Sequence, residues 1–388
     1  MKYQTSKFCI QGGSILLPDG GIQETDILIS DGKIDAIGSA PNKTVKKLNA
    51  SGYMVLPGIV DLHGDAFERQ IMPRPGVSFP LTLAFLDTDR QLVANGITTA
   101  YHGITYSWEP GLRGRETVTK VMTALKNVSK RLGADTKCHL RFETFNFAAG
   151  DEVLNWILDR NIDFLAFNNH LPSIRKKIQE NQSLSKFLER SGLEKDAFLQ
   201  LVEKLSEREH ETTKLVEKLA KAARDHSISM ASHDDKTAAT RQFYNSLGCY
   251  ISEFPLTAEA INQAQELGNH IVLGAPNIIR GGSHMGASGL SATESIKAGK
   301  GDILCSDYYY PALMQAPFKL VADKILEFGD SWGMVSKAPA QAAGLVDRGE
   351  IVEGKRADLI LVEELGLGQL DLKATFVNGR MVFQSGCL

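Results

Sequence analysis

Short apolar runs recur along this chain at spacings that alternate between the strand and the helix period. Over residues 8–47 they read as short strands broken by glycine and proline: Phe8-Cys9-Ile10, Ser14-Ile15-Leu16-Leu17, Asp26-Ile27-Leu28-Ile29 and Lys33-Ile34-Asp35-Ala36-Ile37. Asp31-Gly32 joins the last two as a tight hairpin, since both positions accept the positive φ that such turns need. The other end of the chain has the same character. Asp358-Leu359-Ile360-Leu361-Val362 precedes two strands joined at Asn378-Gly379. One small sheet domain built from both chain ends is therefore expected.

Between the two ends, strand-like runs alternate with helical ones. The runs fall at residues 58–63, 97–102, 139–142, 164–167, 229–232, 251–253, 271–273 and 303–305. Eight parallel β/α units close into a barrel. Residues 179–225 interrupt the rhythm with a long, charged stretch of helical period, marked by Phe198, Leu201, Val202, Leu205, Leu215, Val216 and Leu219. It reads as solvent-facing helices inserted in a barrel loop, with a lid over the site as the alternative.

Composition adds limits. With 388 residues and 43% hydrophobic side chains, the chain buries a large core. A net charge of -3 gives no general attraction to nucleic acid or to an acidic membrane. Five scattered cysteines without C-x-x-C spacing argue for a reducing compartment and against a disulfide framework. The polar start and the lack of a long apolar run point to a cytoplasmic protein.

The candidate chemistry sits where apolar runs end. Gly58-Ile59-Val60-Asp61-Leu62-His63-Gly64-Asp65 delivers an imidazole and a carboxylate two residues apart, hence on one face of a strand. His139-Leu140-Arg141-Phe142-Glu143 places Arg141 and Glu143 on a shared face. Later runs deliver His170, then His233-Asp234-Asp235, then Asp307. Singly, each is ordinary for a core or a surface. Together, three imidazoles and three carboxylates after five such runs make a donor set for divalent metals. The division expected is His63, Asp65 and Asp307 on one ion, His170 and His233 on a second, and Glu143 between them. Asp307 doubles as general base. His102, His139, His226 and His270 are expected in the core or on the surface.

Two further stretches suit an anionic ligand. Pro73-Arg74-Pro75 stiffens the backbone around an arginine. Gly274-Ala275-Pro276-Asn277-Ile278-Ile279-Arg280-Gly281-Gly282-Ser283-His284 offers Asn277, Arg280, the amides of Gly281 and Gly282, Ser283 and His284. Lys236 is a weaker candidate of the same kind.

At these residues the chain resembles the amidohydrolase superfamily. The closer likeness is to its alpha-D-ribose 1-methylphosphonate 5-triphosphate diphosphatase group, of the carbon–phosphorus lyase pathway. The motifs carrying it are Leu62-His63-Gly64-Asp65, Pro73-Arg74-Pro75-Gly76-Val77, Ala231-Ser232-His233-Asp234-Asp235, Glu253-Phe254-Pro255, the 274–284 stretch and Ser306-Asp307-Tyr308-Tyr309. Asp65 and Glu143 stand where other superfamily members carry a histidine and a carboxylated lysine. The resemblance implies a distorted (β/α)8 barrel over residues 57–344 and a small β-sandwich from residues 1–56 and 345–388. It implies two divalent ions, with zinc first and manganese, nickel or iron as the other metals this donor set accepts. It further implies release of pyrophosphate from a phosphorylated sugar, with Arg74, Arg141 and Arg280 against the phosphates. The expected partner is that small molecule, with no nucleic acid and no membrane, and a homo-oligomer stays open. Competing readings are a hydrolase of amides, cyclic imides or amino-purines, and a barrel kept as a non-catalytic scaffold. Arginines converging on the metals would favour the phosphate reading.

Overall fold

The computed structural model of the chain describes residues 7–38, 45–282, 289–366 and 369–386. Among them, eight parallel strands form one sheet in chain order: Ile59–Gly64, Ile97–Tyr106, Asp135–Glu143, Phe164–Asn168, Ser229–His233, Ile251–Glu253, His270–Gly274 and Ile303–Cys305. A bridge between Gly64 and Asp307 joins the first strand to the end of the last. Asp307 donates its amide to the His63 carbonyl at 2.9 Å and accepts from the Asp65 amide at 2.9 Å. The barrel therefore closes on residues expected to do chemistry. All eight expected runs are strands, and the fold is α/β as the alternation implied.

The barrel interior is filled in layers. Val60, Leu62, Tyr101, Phe164, Ala166, Ala231, Ile251, Val272 and Ile303 form an apolar plug. At the C-terminal mouth the inward positions turn polar, with His63, His139, Arg141, Glu143 and Glu253 all buried. Barrel enzymes carry their chemistry at that end.

The second sheet combines both termini. Its order runs Arg380–Gln384, Gln369–Val377, Leu359–Gly366, Met54–Pro57, Phe8–Leu16, Ile22–Ser30 and Lys33–Ile37, with Lys46–Asn49 also paired to Phe8–Leu16. Ile34 and Phe376, from strands far apart in that order, share one core with Ile10, Ile27, Val55 and Leu361. The sheet thus folds over on itself. Both hairpins form as expected: Asp31 and Gly32 have φ 51° and 79°, and Asn378 and Gly379 have φ 50° and 69°. A larger core binds this sheet to the barrel through Leu56, Ile360, Val362 and Leu372 against Leu92, Ile97, Leu313 and Trp332.

The insertion is helical, its charged faces turned to solvent and its apolar faces packed inward. Helices Leu171–Gln179, Ser185–Ser191 and Lys195–Ser206 follow the fourth barrel strand. Phe198, Val202 and Leu205, spaced four and three residues apart, bury one face against Phe145, Leu171 and Ile174. Thr212–Asp225 then packs Val216, Leu219, Ala220 and Ala223 into the main barrel core. Ser185–Ser191 docks on the loop after the second barrel strand, so closely that a Cβ at Gly111 would collide with the Arg190 carbonyl. No described helix is long and apolar enough to cross a membrane. Cys9, Cys138, Cys249 and Cys305 are buried and unpaired; Cys387 lies outside the described residues.

Candidate metal centre

Three barrel-mouth turns present the donors through backbone that few residues adopt. Asp234, Phe254 and Asp307 have φ of 60°, 51° and 52°, each just past a strand end. Every one of these amides still bonds to a neighbouring strand: Asp234 to Glu253, Phe254 to Val272 and Asp307 to His63. The ladder holds a left-handed kink that aims the side chain across the mouth. Beneath the first kink, buried Arg241 donates to Ser232 Oγ at 2.7 Å, to Asp235 at 3.2 Å and to the Ile251 carbonyl at 3.2 Å, which locks the turn carrying His233.

Among the described residues, three candidate donor groups result: a buried one of His63, His139 and Glu253, and two at the mouth. Ligand atoms of His63, Asp65 and Asp307 lie within 4.8 Å of one another, and so do those of His170, His233 and Asp234. The groups are neighbours, with the rings of His63 and His233 5.3 Å apart. Arg141 spans them, donating to Asp65 at 3.1 Å and lying 3.2 Å from His233 Nε2. Glu143 meets His170 Nδ1 directly and accepts the His170 amide at 3.3 Å. It attaches to the second group through that imidazole.

Electrostatics at this mouth are strained. Burial, and then the Arg141 charge, push His63 well below the usual histidine range. Burial, and then Asp65, raise Asp307 to about 7. Burial acts against a charged His170, but Glu143 and Asp234 outweigh it and hold the imidazole at about 9. Burial likewise acts against an ionised Glu143, yet His170 holds it at about 2. Buried His63 Nδ1, His233 Nδ1 and both Glu253 oxygens lack hydrogen-bond partners. Buried polar atoms are rarely left so. An imidazole and carboxylate set with orphaned atoms fits a divalent cation.

Two residues behind the donors were not assigned a role from sequence. Glu253 Oε2 lies 3.3 Å from His63 Nδ1 and 3.8 Å from His139 Nε2. His139 is tied through Nδ1 to the Leu62 carbonyl at 2.8 Å. Glu253 thus faces Nδ1 of His63 without hydrogen-bonding it and leaves Nε2 for a metal, the place of a carboxylate behind a metal-bound imidazole. Asp61 accepts the Ser306 amide at 3.0 Å and its hydroxyl at 2.5 Å, which anchors the turn before Asp307. Both carboxylates end or interrupt apolar strand runs, the same signal that marked the donors. Asp234 also joins the second group, where sequence reading had stopped at His233.

The anion-binding candidates fare unevenly. Arg141 reaches the donors. Arg280 is exposed and ends 3.3 Å from the Tyr308 hydroxyl. Arg74 is exposed within its own turn, where its carbonyl accepts from Val77. The amides of Gly281 and Gly282 donate to the carbonyls of Ile278 and Asn277, so they cap helix Ala275–Arg280 and do not face a ligand. Asn277 lines the mouth, but its amide group is engaged by Leu290 and Ala292. Lys236 is exposed. Ser283 and His284 lie outside the described residues. A cavity of about 240 Å³ opens beside the donors, lined by Arg141, His170, Asp307 and Tyr308 and by an apolar wall that includes Phe254 and Leu273.

A parallel eight-stranded barrel and a sheet shared by both termini give the chain the fold seen in amidohydrolases, with histidine–carboxylate donors at its mouth. Solved structures agree on the fold. N-acetylglucosamine-6-phosphate deacetylase from Pasteurella multocida superposes with a TM-score of 0.65 over 97% of this chain and 99% of that one, at 11% identity. A Xaa-Pro dipeptidase superposes with a TM-score of 0.66 over 98% of this chain and 100% of that one, at 14% identity. No family model matches the chain. Alpha-D-ribose 1-methylphosphonate 5-triphosphate diphosphatase of Escherichia coli is 32% identical over 364 residues, covering 92% of this chain and 95% of that one. The chain belongs to that diphosphatase family.

Proposed function

We propose that this protein hydrolyses the 5-triphosphate of a ribose 1-phosphonate, releasing pyrophosphate and leaving a 5-phosphate. The observation that carries the reading is a likeness spanning 92% of the chain and 95% of the diphosphatase relative. His63, Asp65 and Asp307 would hold one divalent ion, and His170, His233 and Asp234 a second, with Glu143 joining through His170. Zinc suits this donor set best, and manganese, nickel and iron are accepted by the same ligands. When bound, such ions acidify water and neutralise phosphoryl oxygens.

The chain's own groups supply the rest. Asp307 takes the proton of the attacking water. Arg141 donates to a phosphoryl oxygen as charge develops there. His63 and His233 are braced by the edge of Phe254, whose ring centroid lies 5.0 and 5.2 Å from theirs. A second reading, hydrolysis of an amide or cyclic imide, draws support from the apolar wall and from the absence of Arg74 and Arg280 among the donors. The deciding experiment offers ribosyl and nucleoside triphosphates, amides and cyclic imides to the metal-loaded protein. Pyrophosphate released from a ribosyl triphosphate is expected; turnover confined to amides or imides would overturn the proposal.

A further inference from the structure

Asn168 ends the fourth barrel strand as a buried carboxamide that the metal centre described above does not use. It is 0% exposed, and neither Oδ1 nor Nδ2 has a hydrogen-bond partner. Strand alternation settles where it points. Phe164 and Ala166 belong to the apolar plug inside the barrel, whereas Leu165 and Phe167 join the core between the barrel and its helices. Asn168 comes next and faces inward. The flanking strands follow the same rule. Leu140 and Phe142 lie in the outer core, so Arg141 and Glu143 face in. Ala231 lies in the plug, so His233 faces in as well.

Register places Asn168 among the donors. It pairs with Glu143 on the third strand. Phe167 pairs with Ser232, so His233 stands beside Asn168 one step further along that ladder. His233 in turn pairs with Glu253. Glu143, Asn168, His233 and Glu253 therefore form one inward row across four adjacent strands, about 4.8 Å apart from strand to strand. The other three members each meet a donor: Glu143 meets His170, His233 groups with His170 and Asp234, and Glu253 faces His63. Asn168 stands between the first two. Both Glu143 oxygens already meet His170, so that carboxylate is not the partner of the carboxamide. Leaving a buried amide bare at both ends is costly, and folded chains rarely do so.

We propose that Asn168 is a further ligand, through its carboxamide oxygen, of the divalent ion that His170, His233 and Asp234 would hold. This rests on the two-ion reading above. A carboxamide oxygen is a neutral donor that divalent ions accept and that needs no deprotonation. Two imidazoles, one carboxylate and one carboxamide make four protein ligands, the number a tetrahedral ion takes. The same carboxamide keeps two N–H donors on the side of its neighbours in the row. A packing role would leave the amide no reason to be polar, since Ala166 and Phe164 below it on the same face are apolar.

The test titrates the metal-free protein with zinc against a chromophoric chelator and follows thermal unfolding of the same metal-free form. Asn168→Leu matches the branching of the side chain and removes its oxygen. It is expected to weaken one of two zinc equivalents at least tenfold and leave the other within twofold. The weakened equivalent should be the one that Asp234→Asn also weakens. Without metal, the Leu variant should unfold at or above the parent temperature, because it no longer buries a bare amide. Asn168→Asp restores an oxygen and should hold that equivalent within threefold of the parent or more tightly; it carries the test if the Leu variant fails to fold, and a tenfold loss in it would overturn the ligand role. Parental affinity for both equivalents in Asn168→Leu would mean that the carboxamide holds only water. Equal loss of both, with a lower unfolding temperature, would mean that it only packs. Either result overturns the proposal. A parent that binds a single ion would sink the two-ion reading and this ligand with it, so the parental stoichiometry separates the two failures.

Discussion

Glu253→Gln tests whether the carboxylate behind His63 acts on the metal or merely fills space. Glu253 is fully buried, and neither oxygen has a hydrogen-bond partner. It faces His63 Nδ1 at 3.3 Å and His139 Nε2 at 3.8 Å. Burial holds both imidazoles neutral, His139 at about 3 and His63 well below its usual range. Without metal, a carboxylate at this position thus has no cation to balance it, and an amide of the same shape costs the fold nothing. With metal on the other nitrogen of His63, the Nδ1–H becomes a stronger donor and the carboxylate is its proper acceptor. Loss of such a partner lowers metal affinity about 10- to 100-fold, or about 1.4–2.7 kcal/mol. The two states therefore respond with opposite sign. Competition against a chromophoric chelator should show the weakened metal, while thermal unfolding of the metal-free variant should occur at or above the parent temperature. Equal destabilisation with and without metal, or metal affinity within twofold of the parent, would refute the argument.

Other outcomes follow from the same geometry. Asp307→Asn should retain metal by elemental analysis while turnover drops about 10²- to 10⁴-fold; parental activity would remove Asp307 as general base. His102 lies 1% exposed between Phe67 and Phe85, and burial lowers it to about 4. Its neutral form favours the fold above pH 6.5, and that contribution is lost as pH falls from 6.5 toward 4, because the unfolded chain takes up the proton first. His102→Phe should flatten the stability curve across that window by about 3 kcal/mol; parallel curves from denaturant titrations would show that burial of His102 is not what makes acid destabilising. Gly111 has φ 84° and no room for a Cβ against the Arg190 carbonyl. Gly111→Ala should cost about 1–3 kcal/mol and expose the Ser185–Ser191 helix to protease; an unchanged digestion pattern would mean that this contact does not dock the insertion.

Local pattern was enough to determine the order of elements, the eight barrel strands, both hairpin turns and the strand ends at which His63, Asp65, Glu143, His233 and Asp307 emerge. These depend on period and on residue type at a turn, which neighbours in sequence settle. Tertiary structure decided what no neighbour fixes. Asp234 joins His170 because its backbone turns left-handed at φ 60°, held by a bond to the Glu253 carbonyl on the next strand. Glu253 and His139 look like core residues until barrel closure brings them behind His63. The glycines at 281 and 282 suggested a phosphate cradle, but their amides finish a helix. Of the arginines expected against the phosphates, Arg141 reaches the donors while Arg74 and Arg280 stay exposed; Arg113 and Arg190 pair with Glu68 and Glu109. Where a charged side chain ends up depends on which carboxylate pins it, and Glu68 and Glu109 are separated from Arg113 and Arg190 along the chain by dozens of residues. Only the closed barrel brings them together.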